Sequence, residues 1–362
     1  MSVVWGEAWR NLLTGTTRGL LFAVVFAVAC GGAAVAQSRM VVDFIHQATA
    51  YREAGAAIQV VAAPGQINGS QCDDLAQVSG IVAAGALRHG ADVTVATLPS
   101  TKVPSLDVTP GFAALLDPTS VTTARAGAGV WLAASLAERA GVGLGASHLP
   151  LADGEDVPVA GVYAYPADGR APTLDYAIVS PTASSAPFDA CWVFAWPRPE
   201  AAFDVLTVPV LPQLTGSGVK AAPPMTSQLN TTLGLSFDGP AKFAALPLWL
   251  LAAAGALVGL VLGFTAVRLR RLELAGALHA GVAKPALGVQ LLVETLLWLV
   301  VAACPSLVAS LGASMWGNSD WWPAWWPAIR AIGLAAVATL VGTLAALLLT
   351  REKQLFVYFK RR

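Results

Sequence analysis

Charge is scarce in this sequence. Only 12% of its 362 residues are Asp, Glu, Lys or Arg, about half the share of a soluble globular domain. Hydrophobic residues make up 56%, and the mean hydropathy is +0.62. Such a composition excludes a nucleic-acid binder, a disordered tail protein and a small disulfide scaffold, and it reads as a protein with several membrane spans. Histidine is scarce too. His46, His89, His148 and His279 form no H-E-x-x-H helix, and no Cys/His cluster has zinc spacing. No stretch fits G-x-x-x-x-G-K-S/T, so the chain hydrolyses no ATP through a P-loop. Gly141, Gly143 and Gly145 resemble a dinucleotide loop only faintly. No acid about 20 residues on closes a second strand, and a turn is the better reading. The triplets at Asn68 and Asn230 are formal glycosylation sequons of a kind common by chance. Nothing here is an enzyme, and no cofactor or metal is expected in the chain.

What the sequence does have is four long apolar runs, at 19–36, 246–267, 286–311 and 328–349. A bilayer core needs about 20 residues of helix. The expected fold is therefore a four-span α-helical membrane protein with an extracytoplasmic α/β or α+β domain between the first and second spans. The boundaries read as an amphipathic helix over 1–18, spans at 19–38, 245–267, 286–311 and 328–349, and the large domain at 39–244. A loop over 268–285, a Trp-rich loop over 312–327 and a basic tail over 350–362 complete the layout.

The few charges are unevenly placed. The segments 1–18, 268–285 and 350–362 hold Arg10, Arg18, Arg268, Arg270, Arg271, Lys284, Arg351, Lys353, Lys360, Arg361 and Arg362, against only Glu7, Glu273 and Glu352. That excess beside the membrane ends is a positive-inside signal, which puts both termini in the cytoplasm and the large domain outside. Trp316, Trp321, Trp322, Trp325 and Trp326 then fit an outer aromatic belt. Val4, Trp5, Ala8, Trp9 and Leu12 share one helical stripe, as in a helix lying at the inner interface. Ala34-Val35-Ala36 mimics a signal-peptidase site. The apolar run ahead of it is longer than the ~7–15 residues of a signal peptide, so a retained span is the reading. Cys30 as a lipoprotein cysteine is set aside on the same ground.

Cys30 and Cys304 fall in spans, as packing residues. Cys72 and Cys191 both fall in the outer domain, where an oxidising compartment favours one disulfide; two unrelated thiols are the alternative. Glu294 lies inside the third span. An ionisable group there is costly, and a gating role and a hydrogen-bonded helix contact stand equally open. Pro305 is expected to kink that span. Within the outer domain, helices are expected at 76–88 and 130–140, and strands at 57–62, 92–98, 157–165 and 176–180.

Two segments carry a family resemblance. Arg270-Arg271-Leu-Glu273 through His279 and Gly281, followed by a span with Gln290 and Glu294, is similar to the cytoplasmic loop of the MacB/FtsX-like (type VII) ABC transporter permeases. Val130 to Gly145, continuing to Val157–Val162, resembles the family's periplasmic core. Trp9-Arg10-Asn11-Leu12-Leu13 resembles its opening amphipathic helix. Ala146 departs from a usually polar position, and 181–240 matches no family pattern. The resemblance implies a permease subunit in a bacterial cytoplasmic membrane, worked by a separate cytoplasmic ABC ATPase dimer that supplies ATP and Mg. It implies docking on Arg270, Arg271, Glu273, His279 and Gly281, and a second copy of the chain or a paralogous permease. It also allows an extracytoplasmic protein as a further partner. Motion would pass to the outer domain by mechanotransmission, to export or extract an amphiphile. An FtsX-like relay acting on a cell-wall hydrolase and a plain membrane-anchored binding module are the alternatives. Haem export would need ligands such as His46 and Tyr51, and is weighed against.

Overall fold

The computed structural model describes residues 18–116, 129–142, 148–183, 185–197, 205–211 and 223–350. The expected helix over 1–18 and the tail over 350–362 therefore lie, apart from Arg18 and Thr350, outside the described residues. The chain divides into two compact units, Met1–His46 with Pro240–Arg362, and Gln47–Gly239.

Four helices are long and apolar enough to cross a membrane: Gly19–Glu53, Gly239–Leu269, Lys284–Met315 and Trp322–Leu349. We label Gly19–Glu53 α1, the main part of the second (Leu248–Leu269) α2, and the short helix Arg271–His279 α3. Lys284–Met315 is α4 and Trp322–Leu349 is α5. The segment expected as a loop over 268–285 is thus mostly helix, and α4 runs unbroken through Pro305. Trp322, Trp325 and Trp326 sit on the first turns of α5, not in a loop. Pro323 suits such a helix start because its fixed φ is already helical, and Trp325 Nε1 donates to Ser310 Oγ at 3.2 Å.

Lipid tails are as apolar as leucine, so helices in a bilayer associate by close packing more than by burial. Here α2 offers Gly255, Gly259 and Gly263 on one buried stripe. A Cβ at Gly259 would collide with the Ala335 carbonyl oxygen, one at Gly263 with that of Thr339, and one at Gly342 with that of Leu260. The α2 and α5 backbones therefore touch, and only glycine fits. Thr339 and Thr343 turn their hydroxyls back onto Ala335 O (2.8 Å) and Thr339 O (3.0 Å), which keeps polar atoms satisfied inside the bundle. Gly263→Val should force these helices apart and cost on the order of 1–3 kcal/mol. Gly255→Ala, whose Cβ meets nothing within 4 Å, should melt like the parent. Thermal unfolding in detergent compares the two, and equal melting would refute the contact. In α1, residues Ala27–Gly31 form a π-turn. Gly31 there presses on Ser306, beside a core of Phe22, Phe26, Trp298, Leu299 and Ile332.

The sheet unit carries a mixed sheet. Its strands are β1 (Ile58–Ile67), β2 (Ile81–His89), β5 (Ser105–Val108), β6 (Val130–Ala133), β7 (His148–Pro150), β8 (Asp156–Tyr163), β9 (Ile178–Pro181), β10 (Phe188–Ala195) and β11 (Met225–Gln228). Their order is β11-β1-β10-β2-β5-β9-β6-β8-β7, and β3 (Val93–Thr94) with β4 (Lys102–Val103) forms a separate pair. The pairs β5·β9 and β6·β8 are parallel.

Three sequence expectations fail here. The alanine-rich stretch at 76–88 is mostly strand β2. It sits inside the sheet, and a Cβ at Gly85 would collide with the Phe112 backbone, so small residues mark close packing rather than helix. Val130–Ala133 is strand, buried along its whole length, and only Ala134–Ala140 is helix. The strand expected over 92–98 shrinks to Val93–Thr94 plus a bridge from Val95 to Leu151. The region 181–240, which had suggested nothing, supplies central strand β10.

Arg170 ties this unit's chain together. Its Nη2 donates to Asp168 Oδ2 at 2.6 Å and to the Glu53 carbonyl at 2.7 Å. The Arg170 hydrogen bonds hold the Asp168 carboxyl below its ordinary range. A lowered carboxyl stabilises the fold above the unfolded Asp value of about 3.9, and that support is lost as pH falls through the lowered value. The melting temperature of Asp168→Asn should therefore fall less steeply with acid than the parent's below about pH 4. Parallel curves would contradict the contact's role. The Tyr165 phenol, raised to about 12 by burial, stays neutral throughout that window.

Candidate functional site

The chemistry-bearing residues of the helical unit converge where α2, α3 and α4 meet. Arg270 is the hinge residue between α2 and α3, and its side chain is 10% exposed. Its Nε and Nη2 grip Glu273 in a two-point fork at 2.9 and 2.5 Å, and its Nη1 bonds Glu294 Oε2. Glu294 is 4% exposed and also accepts from Gln290 Nε2 at 3.3 Å. Burial works against the Arg270 charge, but hydrogen bonds and attraction from Glu273 and Glu294 outweigh it and raise its pKa above the ordinary value. One cation between two carboxylates, one buried and one at the surface, pins α3 to α4. Sequence reasoning had singled out all three residues without pairing them. Arg270 and Glu294 are 24 positions apart, too far for helical spacing to suggest the contact.

The packing below the clasp explains why α3 stays on the bundle. Leu274 and Ala275 are buried, and Leu274 joins Val267, Leu287, Leu291, Ala346 and Leu347. The opposite side of α3 and the turn after it are exposed at Glu273, His279, Gly281, Val282 and Lys284. Arg271 is half-buried on the helix's first turn. Gly281 has φ 89°, and Val282 N bonds back to Ala277 O at 3.1 Å while Gly281 N bonds Leu278 O at 3.1 Å. This is a Schellman cap, which needs a left-handed residue and so favours glycine. In this fold Gly281 ends α3 and frees the chain to start α4. The arrangement leaves one side of a short helix exposed beside two membrane-length helices.

In the sheet unit, Cys72 and Cys191 are bonded, with Cα atoms 5.9 Å apart. Both are fully buried in the cluster of Val61, Ile67, Leu75, Phe188 and Val193. Cys30 and Cys304 are free thiols. Both sequon asparagines have structural duties. Asn68 Oδ1 caps the helix Gly69–Asp74 by accepting from Gln71 N at 3.2 Å. Asn230 is 0% exposed and donates to Ala54 O and Asp168 O. His46 Nε2 lies 2.7 Å from Gly317 O. Tyr51 is buried, and its hydroxyl accepts from Gln228 Nε2 at 2.9 Å. Gly141 is a left-handed helix cap, while Gly143 and Gly145 lie outside the described residues.

No protein-family profile and no curated protein matches the sequence. Among solved structures, the chain is similar to a domain of a candidate permease protein from Porphyromonas gingivalis. The identity is 16%, over 40% of this chain and 77% of that one, with a TM-score of 0.30; a likeness that distant carries no argument. Fold and site together define a class: a chain with four membrane-length apolar helices and a mixed α/β sheet unit.

Proposed function

We propose that this chain is the membrane subunit of an ABC-type transporter in a bacterial cytoplasmic membrane, with both termini cytoplasmic and the sheet unit outside. A separate ATPase dimer docks on α3 and hydrolyses ATP. The resulting motion passes along the spans to the sheet unit, and an amphiphile is exported or extracted. The observation that carries this reading is the Arg270 clasp. A short helix with exposed Glu273 and His279, followed by exposed Lys284 at the start of α4, is held to that membrane-length helix through a buried ion pair, so a push on α3 is delivered to α4 and not absorbed by a loop. Two further features support it. Helix α1 has 35 residues, a rod of roughly 52 Å against a hydrocarbon core of about 30 Å. A buried disulfide in the sheet unit belongs in an oxidising compartment.

Photocrosslinking tests the docking surface. A benzoylphenylalanine at position 279 or 284, in cells of the native host, should capture a P-loop ATPase, whereas one at position 326 should not. The same adduct from all three positions, or no ATPase adduct at 279 and 284, would refute docking on α3.

A further inference from the structure

Helix α5 has a single charged residue, Arg330, and it belongs neither to the clasp nor to the close packing. Ala324, Ala328, Ala331, Ala335 and Thr339 are buried along one side of the helix. The other side exposes Trp322, Trp326, Arg330, Leu334, Val337 and Val341, spaced four or three apart as one face of a helix requires. No carboxylate among the described residues pairs with Arg330, whereas the buried Glu294 is answered by Arg270. The two indoles on this face lie close together, with Trp322 and Trp326 ring centres 5.7 Å apart.

Two independent measures put Arg330 at one depth. Helix α5 ends at Leu349, and the roughly 20 residues of helix that cross the hydrocarbon, counted back from there, reach Arg330. On the exposed face, the next three positions toward the C-terminal end are Leu334, Val337 and Val341, all apolar. The two positions toward the N-terminal end are Trp322 and Trp326, and indole rings collect at headgroup level. Helical side chains lean toward the N-terminus of their helix, so the Arg330 stem leans toward Trp326 and carries its charge out of the hydrocarbon. The anions that a bilayer supplies at that level are phosphodiester oxygens, which a guanidinium meets with two parallel hydrogen bonds.

We propose that Arg330 is a phospholipid-binding residue, whose guanidinium forks onto the phosphate of a lipid lying against the exposed side of α5, beside Trp326. The site reads the phosphate and not the rest of the head, because Arg330 is the only charged residue on the helix. Its ligand class is the glycerophospholipids, and a neutral glycolipid with the same acyl chains offers the guanidinium no anion. The charge of Glu294 is answered within the protein, and that of Arg330 is answered by lipid. This inference rests on the four helices spanning a membrane and is independent of any ATPase.

Native mass spectrometry tests it on the full chain in mild detergent, with phosphatidylglycerol, phosphatidylethanolamine and a galactosyl diacylglycerol of identical acyl chains. At matched collision energy the parent should hold one more molecule of either phospholipid than Arg330→Gln, while both should hold the galactolipid equally. Arg330→Lys, which keeps the charge without the fork, should hold that extra phospholipid only at lower collision energy. Arg330 is exposed and pairs with no carboxylate, so Arg330→Gln should melt like the parent in lipid-free detergent, which separates lost binding from lost folding. Equal phospholipid retention by the parent and Arg330→Gln would overturn the proposal. So would an equal loss of the galactolipid, which would mark a grip on acyl chains alone, or displacement of the extra lipid by excess inorganic phosphate, which would mark a free-anion site. An Arg330→Gln chain that fell from two copies to one would give this face to a second copy and contradict a lipid there. The proposal can stand while docking on α3 fails, and the reverse holds, because the two readouts share no residue.

Discussion

Replacing Arg270 by methionine should destabilise the helical unit by about 3–5 kcal/mol, because it removes the ionic partner of a buried carboxylate. Glu294 is 5% exposed in its side chain and would keep Gln290 as a hydrogen-bond donor, which is a poor substitute for a guanidinium. Glu294→Leu should cost less, since Arg270 retains its fork on the 58% exposed Glu273. The double variant Arg270→Met with Glu294→Leu should recover most of the loss, because apolar side chains can replace a buried ion pair at little cost. Thermal melting in detergent orders the three variants. A double variant that melts as low as Arg270→Met would show that the pair is more than a mutual neutralisation. Function separates from stability here. Under the proposed transport reading the double variant should fold yet couple poorly, because the Arg270 link between Glu273, on α3, and Glu294, on α4, is gone.

The second large effect concerns the sheet unit. Cys72→Ala with Cys191→Ala opens a bridge spanning 119 positions. Loop-closure arguments assign such a bridge about 4–5 kcal/mol, and removal of native disulfides typically costs about 2–5 kcal/mol. Both sulfurs lie in a buried hydrophobic cluster of the unit, so the substitution also leaves a small cavity. The variant should be cleaved by protease within the sheet unit at temperatures where the parent resists, while the four membrane-length helices remain protected. Equal resistance would mean that the core alone holds the unit. Mass shifts after alkylation with and without reductant check the bridge itself, with Cys30 and Cys304 as the free thiols.

How much of this was legible in the sequence depends on the physics behind each element. The four membrane-length apolar helices were, because a long apolar run has few alternatives in water. Their true lengths were not. Helix α1 runs on to Glu53 through Arg39, Asp43 and Arg52, residues that a hydropathy window reads as leaving the span. Strand β2 was misread because Ala83, Ala84, Ala86 and Leu87 are good helix formers, while the small residues, Gly85 included, here serve tight packing in a sheet interior. Strand β10 went unnoticed between segments rich in Pro and Ser, although Phe188–Ala195 is nearly all apolar, as a strand buried on both faces is. At the site, the sequence yielded the residues and the structure their arrangement. Arg270 and Glu294 were visible as unusual charges beside and inside a span, but only the turn from α2 into α3 brings them together. The buried polar residues at 37 and 38 offered even less signal. Gln37 and Ser38 look like ordinary polar residues ending a span until their unsatisfied atoms are seen.

The most direct test of the transport reading is native mass spectrometry of the tagged full-length chain, purified in mild detergent from its own host. A particle holding two copies of this chain and two copies of a P-loop ATPase is the expected result, and Arg270→Met should lower its yield several-fold. Any extracytoplasmic protein in the same particle would separate export from control of a wall hydrolase. A chain that flies alone, without an ATPase under any mild detergent or salt condition, would contradict the account.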